Sequence, residues 1–378
     1  CRLGWSKPFA GMRKARWRMA DIPREHYFDL SVSDQADLLQ SLAPMMGRRA
    51  EILEKDIWLC QVLDILFQLP CRKPMAFKGG TSLSKVYRII DRFSEDVDLT
   101  YDIRELAADL LKQGNPIPDS DSQEKKISSA VRHRLPDWIE ATVKPVIAAG
   151  LAKDGLDASL TLAGKDQDKL ILSYPAVKTG TGYSAPTIQL EFGARATGEP
   201  HHVQPVACDI APEIEGVTFP VAQPLVMAAE RTFWEKATAA HVYCLQGRLR
   251  GERYSRHWYD LAAIAKTPHF SAACADQALA RAVAEHKSVF FVEKDAAGAK
   301  IDYFAAISGQ LQLIPAGESL AALEKDYAAM LEDGLLALNQ PSFSDIIEQF
   351  MAGKQPRRLT LIWFQRNPLP VDWEEQRQ

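Results

Sequence analysis

The sequence is short of most features that mark a specialised chain. Its six cysteines, Cys1, Cys60, Cys71, Cys208, Cys244 and Cys274, form no C-x-x-C pair and have no histidine at metal-ligand spacing. A zinc site is therefore not expected, and Cys60, Cys208 and Cys244, set among apolar neighbours, are predicted to be buried thiols in a reducing compartment. No run approaches the ~18 apolar residues of a membrane helix, and the first residues lack the uninterrupted apolar stretch of a secretion signal, so a cytoplasmic protein with no membrane partner is expected. Internal repeats and low-complexity tracts are also missing. Neither sign of charge dominates. A net charge of −4 and a pI near 6.1 argue against a uniformly basic nucleic-acid binder, yet leave room for a local basic groove.

What remains is an ordinary globular composition. The 378 residues, 47% hydrophobic and 25% charged, suffice for two or three domains with a substantial core. Residues 1–18 (CRLGWSKPFAGMRKARWR) are basic and precede Met19. They read either as residues upstream of the natural start or as an arm contacting RNA. Asp34 to Leu69 is predicted helical, with Pro70 and Pro74 stopping it. A linker, KQGNPIPDSDSQ, leads to a second helical stretch from Glu124 to Lys153. Two alternating runs, Lys169 to Val177 and Pro186 to Ala194, predict a hairpin joined through KTGTGYSA. Beyond Pro220 the pattern is helical: Leu225 to Leu245, Ser255 to Ala265, Ala275 to His286 and Leu320 to Leu335. The tail, residues 353–378, mixes aromatics with arginines.

One stretch, KGGTSLSKVYRIIDRFSEDVDLTYD (Lys78 to Asp102), carries the chemistry. Leu83, Val86, Tyr87 and Ile90 recur at helical spacing, predicting a short helix from Ser82 to Asp91 with Gly79, Gly80 and Thr81 at its start. Free N–H groups and glycine there would suit phosphate oxygens. Val97, Leu99 and Tyr101 alternate with Asp96, Asp98 and Thr100, so both aspartates leave one strand face, roughly 7 Å apart along the backbone. Like charges so close repel unless a cation or proton intervenes, and hard divalent ions such as Mg²⁺ (or Mn²⁺) suit such a pair. The competing reading is the polar face of a half-exposed strand. In TIQLEFGAR, Ile188, Leu190 and Phe192 face one way and Gln189, Glu191 and Gly193 the other, which makes Glu191 a candidate third ligand.

This order, a glycine-glycine-hydroxyl turn, a helix, D-x-D and a later acid, resembles the polymerase β-type nucleotidyltransferase fold. More narrowly the chain resembles the AbiEii/AbiGii toxin family, which includes the MenT toxins. The matching stretches are EKDIW (Glu54 to Trp58), FKGGTSLSKVY (Phe77 to Tyr87), RFSEDVDLTY (Arg92 to Tyr101), IQLEFGAR (Ile188 to Arg195), ERTFWEKATAAH (Glu230 to His241) and RHWYDL (Arg256 to Leu261). The resemblance implies an α+β fold: a nucleotidyltransferase domain with a mixed sheet over residues 19–220, then a mainly helical domain over 221–352.

It further implies that Asp96, Asp98 and Glu191 bind metal, that Gly79, Gly80, Thr81 and Ser82 hold nucleotide phosphates, and that Lys236 touches them while Asp260 completes the site. By the same resemblance Ser94 is where a cognate antitoxin would phosphorylate the chain. From the residues alone, Arg231 and Glu235 beside Lys236 suggest a solvated helix face. Arg92 and Arg195 would assist the acids or merely pair with them; His257 and Tyr259 read as packing residues. The implied activity is transfer of NMP from an NTP to an acceptor hydroxyl, with tRNA 3′ ends favoured, in a toxin–antitoxin or phage-defence system. The alternatives are a protein or small-molecule acceptor, and a silent NTP-binding partner module.

Overall fold

The computed structural model describes residues 24–68, 74–94, 96–177, 185–247, 253–336 and 340–351. The basic first 18 residues, Cys1, Cys71, Pro70, the turn 178–184 and the tail lie outside them. After a short strand (Glu25–His26) and a 3-10 turn (Tyr27–Asp29), the described residues form two helices, α1 (Val32–Met46) and α2 (Ala50–Phe67). The single helix predicted from Asp34 is thus two, because Gly47 takes a left-handed conformation (φ 61°) and its N–H caps the carbonyls of Ala43 and Pro44. Helix α2 is buried almost along its whole length, from Ile52 to Phe67, and becomes the spine of the core.

The main sheet is built from β1 (Met75–Lys78), β2 (Asp96–Tyr101), β3 (Ser159–Ala163), β4 (Lys169–Ser173), β5 (Thr187–Gly193), β6 (His201–Val203) and β7 (Leu225–Met227). Its order is β3-β4-β5-β2-β1-β7-β6. The pairs β5/β2 and β1/β7 are parallel and the others antiparallel, so the sheet is mixed. Strands β4 and β5 form the predicted hairpin. Alternation decides the two faces: Val97, Leu99, Leu170, Leu172, Ile188 and Leu190 are buried with α2 and with α4 (Asp121–Trp138) and α5 (Lys144–Lys153). Their polar neighbours in sequence point the other way.

Between β1 and β2 lies α3 (Gly79–Lys85), shorter and earlier than the predicted Ser82 to Asp91. Backbone bonds from Tyr87 to Ser82 and from Ile89 to Leu83 close the helix, and Arg88 turns the chain at φ 52°. The second half is helical: α6 (Ala229–Gln246), α7 (Ser255–Ile264), α8 (Pro268–Ala275), α9 (Gln277–Phe290), α10 (Glu318–Glu332) and α11 (Phe343–Met351). Two boundaries differ from expectation. Leu225–Met227 is a strand of the main sheet rather than helix, and the predicted stretch from Ala275 to His286 is split where Asp276 accepts from Leu279 N–H and starts α9. These helices build a second core around Trp234, Trp258 and Tyr327. Among the described residues no helix is long and apolar enough to cross a membrane.

Leu190, fully buried at the centre of the sheet, carries an expectation for stability. Leu190→Ala should lower the unfolding free energy by about 2–5 kcal/mol, read as a reduced denaturant midpoint in chemical unfolding at unchanged slope.

Candidate functional site

The site starts from strand register. Asp98 is the cross-strand partner of Glu191 on one side and of Lys78 on the other, and Glu191 is in turn opposite Lys169. A row Lys169, Glu191, Asp98, Lys78 therefore crosses four strands on the polar face, with the two acids at its centre. Lys169 pairs with Glu191 at 2.6 Å. One row over, the Gln189 amide donates to both Asp96 Oδ1 (2.9 Å) and Glu191 Oε1 (2.5 Å), and Arg256 lies 3.7 Å from Asp96 Oδ2. Burial, and then the charge of Glu191, push the Asp98 carboxyl above the usual carboxylate range; Lys78, Lys236 and Arg256 oppose this. Asp98 accepts no hydrogen bond among the described residues.

Helix α3 begins where β1 ends, and its two glycines are spatially required. Gly79 sits at φ 79°, and a Cβ there would run into the Asp98 carboxylate. A Cβ on Gly80 would meet the Arg92 guanidinium and the Ser94 hydroxyl. The hydroxyls of this turn are engaged with backbone: Thr81 Oγ1 donates to the Asp96 carbonyl, and Ser82 Oγ donates to the Gly79 carbonyl at 2.9 Å. Thr81 thus ties the turn to β2, and Ser82 braces the turn from within.

The helical half delivers the rest. Asp260 on α7 is fully buried, takes two hydrogen bonds from Arg92 (2.7 and 2.8 Å) and pairs with Lys236 at 2.9 Å. Burial disfavours its charge, but Arg92 and Lys236 overcome that and hold the carboxyl well below the usual range. Lys236 is lowered by burial and by Arg92 and Arg256, with Asp260 opposing. The directions agree, because one acid faces several cations. The solvated helix face suggested by Arg231 and Glu235 is corrected here: Arg231 and Lys236 are buried, since α6 packs between the sheet and the outer helices. Tyr259 donates to Gln340 and accepts from Asp91 N–H, a packing role, and His257 is held neutral by burial and by Lys236 and Arg256.

Ser94 is buried and lines a cavity of about 210 Å³ with Arg48, Lys85, Arg88, Arg92 and Asp209. Arg92 pairs with Asp260, whereas Arg195 lies apart, its guanidinium over Phe291. Glu54, Lys55 and Asp56 are buried in α2. Asp56, Cys60 and Cys208 also gather there with ligand atoms within 4.8 Å of one another, the one such trio among the described residues; the Lys85 ammonium contacts Asp56 at 2.5 Å. Asp96, Asp98 and Glu191 share a face without forming so tight a trio. Lys169, Gln189 and Arg256 were missed as site residues. Their signal is register, which sequence patterning does not supply.

A family model described as nucleotidyl transferase AbiEii toxin, type IV toxin–antitoxin system, matches residues 61–349. No curated protein matches the chain. Among solved structures, MenT4, a nucleotidyltransferase toxin from Mycobacterium tuberculosis H37Rv, is similar at 16% identity over 92% of each chain, with a TM-score of 0.43. With the greater part of its length matched, the chain belongs to the AbiEii family and is a nucleotidyltransferase toxin of the kind countered by an antitoxin.

Proposed function

We propose that this toxin moves an NMP from an NTP to an acceptor hydroxyl with a divalent cation, favouring tRNA 3′ ends, within a bacterial toxin–antitoxin or phage-defence system and in the cytoplasm. The observation that carries the reading is the register of Asp98 with Glu191 on parallel strands, directly over Gly79. Two adjoining carboxylates, one of them with a raised pKa and without a hydrogen-bond donor among the described residues, suit a hard cation such as Mg²⁺ or Mn²⁺. Asp98 and Glu191, with Asp96, would hold it. When bound it would supply Lewis-acid polarisation of the phosphoryl oxygen and favour ionisation of the acceptor hydroxyl.

The remaining residues bind and orient. Glycines 79 and 80 let a triphosphate approach the first N–H groups of α3, the Thr81 hydroxyl ties that turn to β2, and the Ser82 hydroxyl braces it through the Gly79 carbonyl. Lys236 neutralises phosphate charge, and Asp260 holds its ammonium in place together with Arg92. A phosphoryl group on Ser94 would add negative charge beside Gly80 and Arg92, in the path assigned to the nucleotide. This supports modification of Ser94 as the antitoxin's means of silencing the enzyme. The division at residue 220 between a nucleotidyltransferase domain and a helical domain is kept as part of the same proposal.

Incubation with each labelled NTP, Mg²⁺ and total RNA should label a tRNA-sized band, and Asp98→Asn should reduce the label by roughly a thousandfold or more. Label on protein instead of RNA would move the acceptor; NTP binding with no label in any pool would sink the enzymatic reading. Asp260→Asn should abolish transfer and also destabilise the fold by about 3–5 kcal/mol, because Arg92 and Lys236 lose their shared counter-charge; thermal unfolding checks it. For pH the sign is direct. Since the Asp98 carboxyl is raised, protons compete with the cation above the range of an ordinary aspartate. Mg²⁺ affinity by calorimetry should therefore fall as pH drops from neutral, and the fall should move to lower pH in Glu191→Gln.

A further inference from the structure

A second group of charges adjoins the carboxylates and has no part in the reaction as drawn so far. Lys78, the register partner of Asp98, reaches Glu235 Oε2 at 3.4 Å, and Arg231 Nε reaches Glu235 Oε1 at 3.1 Å. On α9 the Lys287 ammonium stands 4.3 Å from the centroid of the Phe291 ring. The Arg195 guanidinium carbon lies 4.9 Å from the same centroid. His286 Nε2 meets the Arg195 carbonyl at 2.8 Å; burial lowers that imidazole to about 4, so it is neutral at physiological pH and adds no charge.

Lys78 and Arg231 both pair with Glu235, Lys287 feels the charge of all three, and Lys287 shares the Phe291 ring with Arg195. Other acids are engaged elsewhere: Glu199 pairs with Arg104, and Glu124, Asp166 and Asp168 act on Arg195 only at longer range. Lys287 joins no ion pair among the described residues and is half-buried. Burial, then Lys78, Arg231 and Arg195, lower its affinity for a proton, with Glu235 alone opposing. An ammonium placed against other cations is unfavourable for the folded state, and the imbalance is relieved when a compact anion enters.

We infer that Lys287, with Lys78 and Arg231, forms a phosphate subsite that receives the polyphosphate end of the nucleotide, the part that leaves as pyrophosphate. The inference rests on the nucleotidyltransferase reading for its ligand. Geometry favours a small, highly charged anion over an extended strand. Lys78 and Arg231 share the Glu235 carboxylate, the Phe291 ring packs beside Lys287 and Arg195, and Lys78 is the register partner of Asp98. A polyphosphate reaching from Asp98 past Lys78 would compete with Glu235 for the same donors and bring the charge balance of the cluster toward zero.

Calorimetric titration of the full chain with inorganic pyrophosphate and Mg²⁺ tests this without turnover. Lys287→Gln should weaken pyrophosphate binding roughly tenfold or more, and Lys287→Arg should restore most of it. Unchanged binding in Lys287→Gln overturns the inference. In the unaltered protein, acylation of Lys287 followed by mass spectrometry should be slowed by pyrophosphate and left as it was by a single-stranded RNA oligonucleotide. Protection by the RNA and none by pyrophosphate assigns the cations to an acceptor strand and also overturns it. The two readings fail separately: loss of pyrophosphate binding in Lys287→Gln with no nucleotide transfer by wild type retains the subsite and removes the enzyme. Transfer by Lys287→Gln with unchanged KM for NTP removes the subsite alone.

Discussion

Asp260 is the point on which the two halves of the molecule turn. Its carboxylate is fully buried, bound by Arg92 from the segment entering the sheet and by Lys236 from α6. Such a group is tolerated in a low-dielectric interior only when counter-charges meet it with good geometry, and here three elements must be correctly docked before that happens. Arg92 also lies against Gly80 and beside Ser94, so the same guanidinium that balances Asp260 shapes the start of α3. Sheet, turn and helical half are therefore tied together by one charge, and the surface at the start of α3 inherits its shape from that tie.

Around this anchor the charges are arranged unevenly. Asp98 and Glu191 stand together at the centre of a sheet row, which is unfavourable for both when ionised, while cations collect on either flank. Lys78, Lys236 and Arg256 act on Asp98, and Lys78 and Arg231 also act on Lys287. A fold selected only for stability would interleave these signs. Separation of like charges into neighbouring clusters is what a protein that handles a metal-bound polyanion requires, because the ligands then supply the missing counter-charge.

Much of this was legible in residues. Alternation in DVDLTY and TIQLEFG gave both faces of β2 and β5, because a strand's period of two leaves little freedom once one face is apolar. The paired glycines stood out at a predicted helix start, but that a Cβ on Gly79 would meet the Asp98 carboxylate, and one on Gly80 the Arg92 guanidinium and Ser94 hydroxyl, is set by the fold. Lys236 was readable only through family resemblance: its neighbours Arg231 and Glu235 pattern as a solvated pair, and nothing local says that α6 is enclosed on all sides. Lys169, Gln189 and Arg256 were invisible for a related reason. Their roles arise from inter-strand register and from docking of α7, which are non-local. The length of α3 was overestimated because its apolar spacing continues past Lys85, whereas the backbone turns at Arg88.

The parallel pairing of β2 with β5 has a temporal side as well. Asp98 meets Glu191 only after the chain between them has been made and the intervening helices and strands have found their places, and Lys236 and Asp260 come later still. Contacts of such large sequence separation form late and together, and domains emerging from the ribosome fold in the order they are made. A chain truncated during synthesis would carry the first acids and the glycine turn without the basic residues that complete them. The register that brings Asp98 to Glu191 and the ion pair of Lys236 with Asp260 therefore exist only in the finished fold.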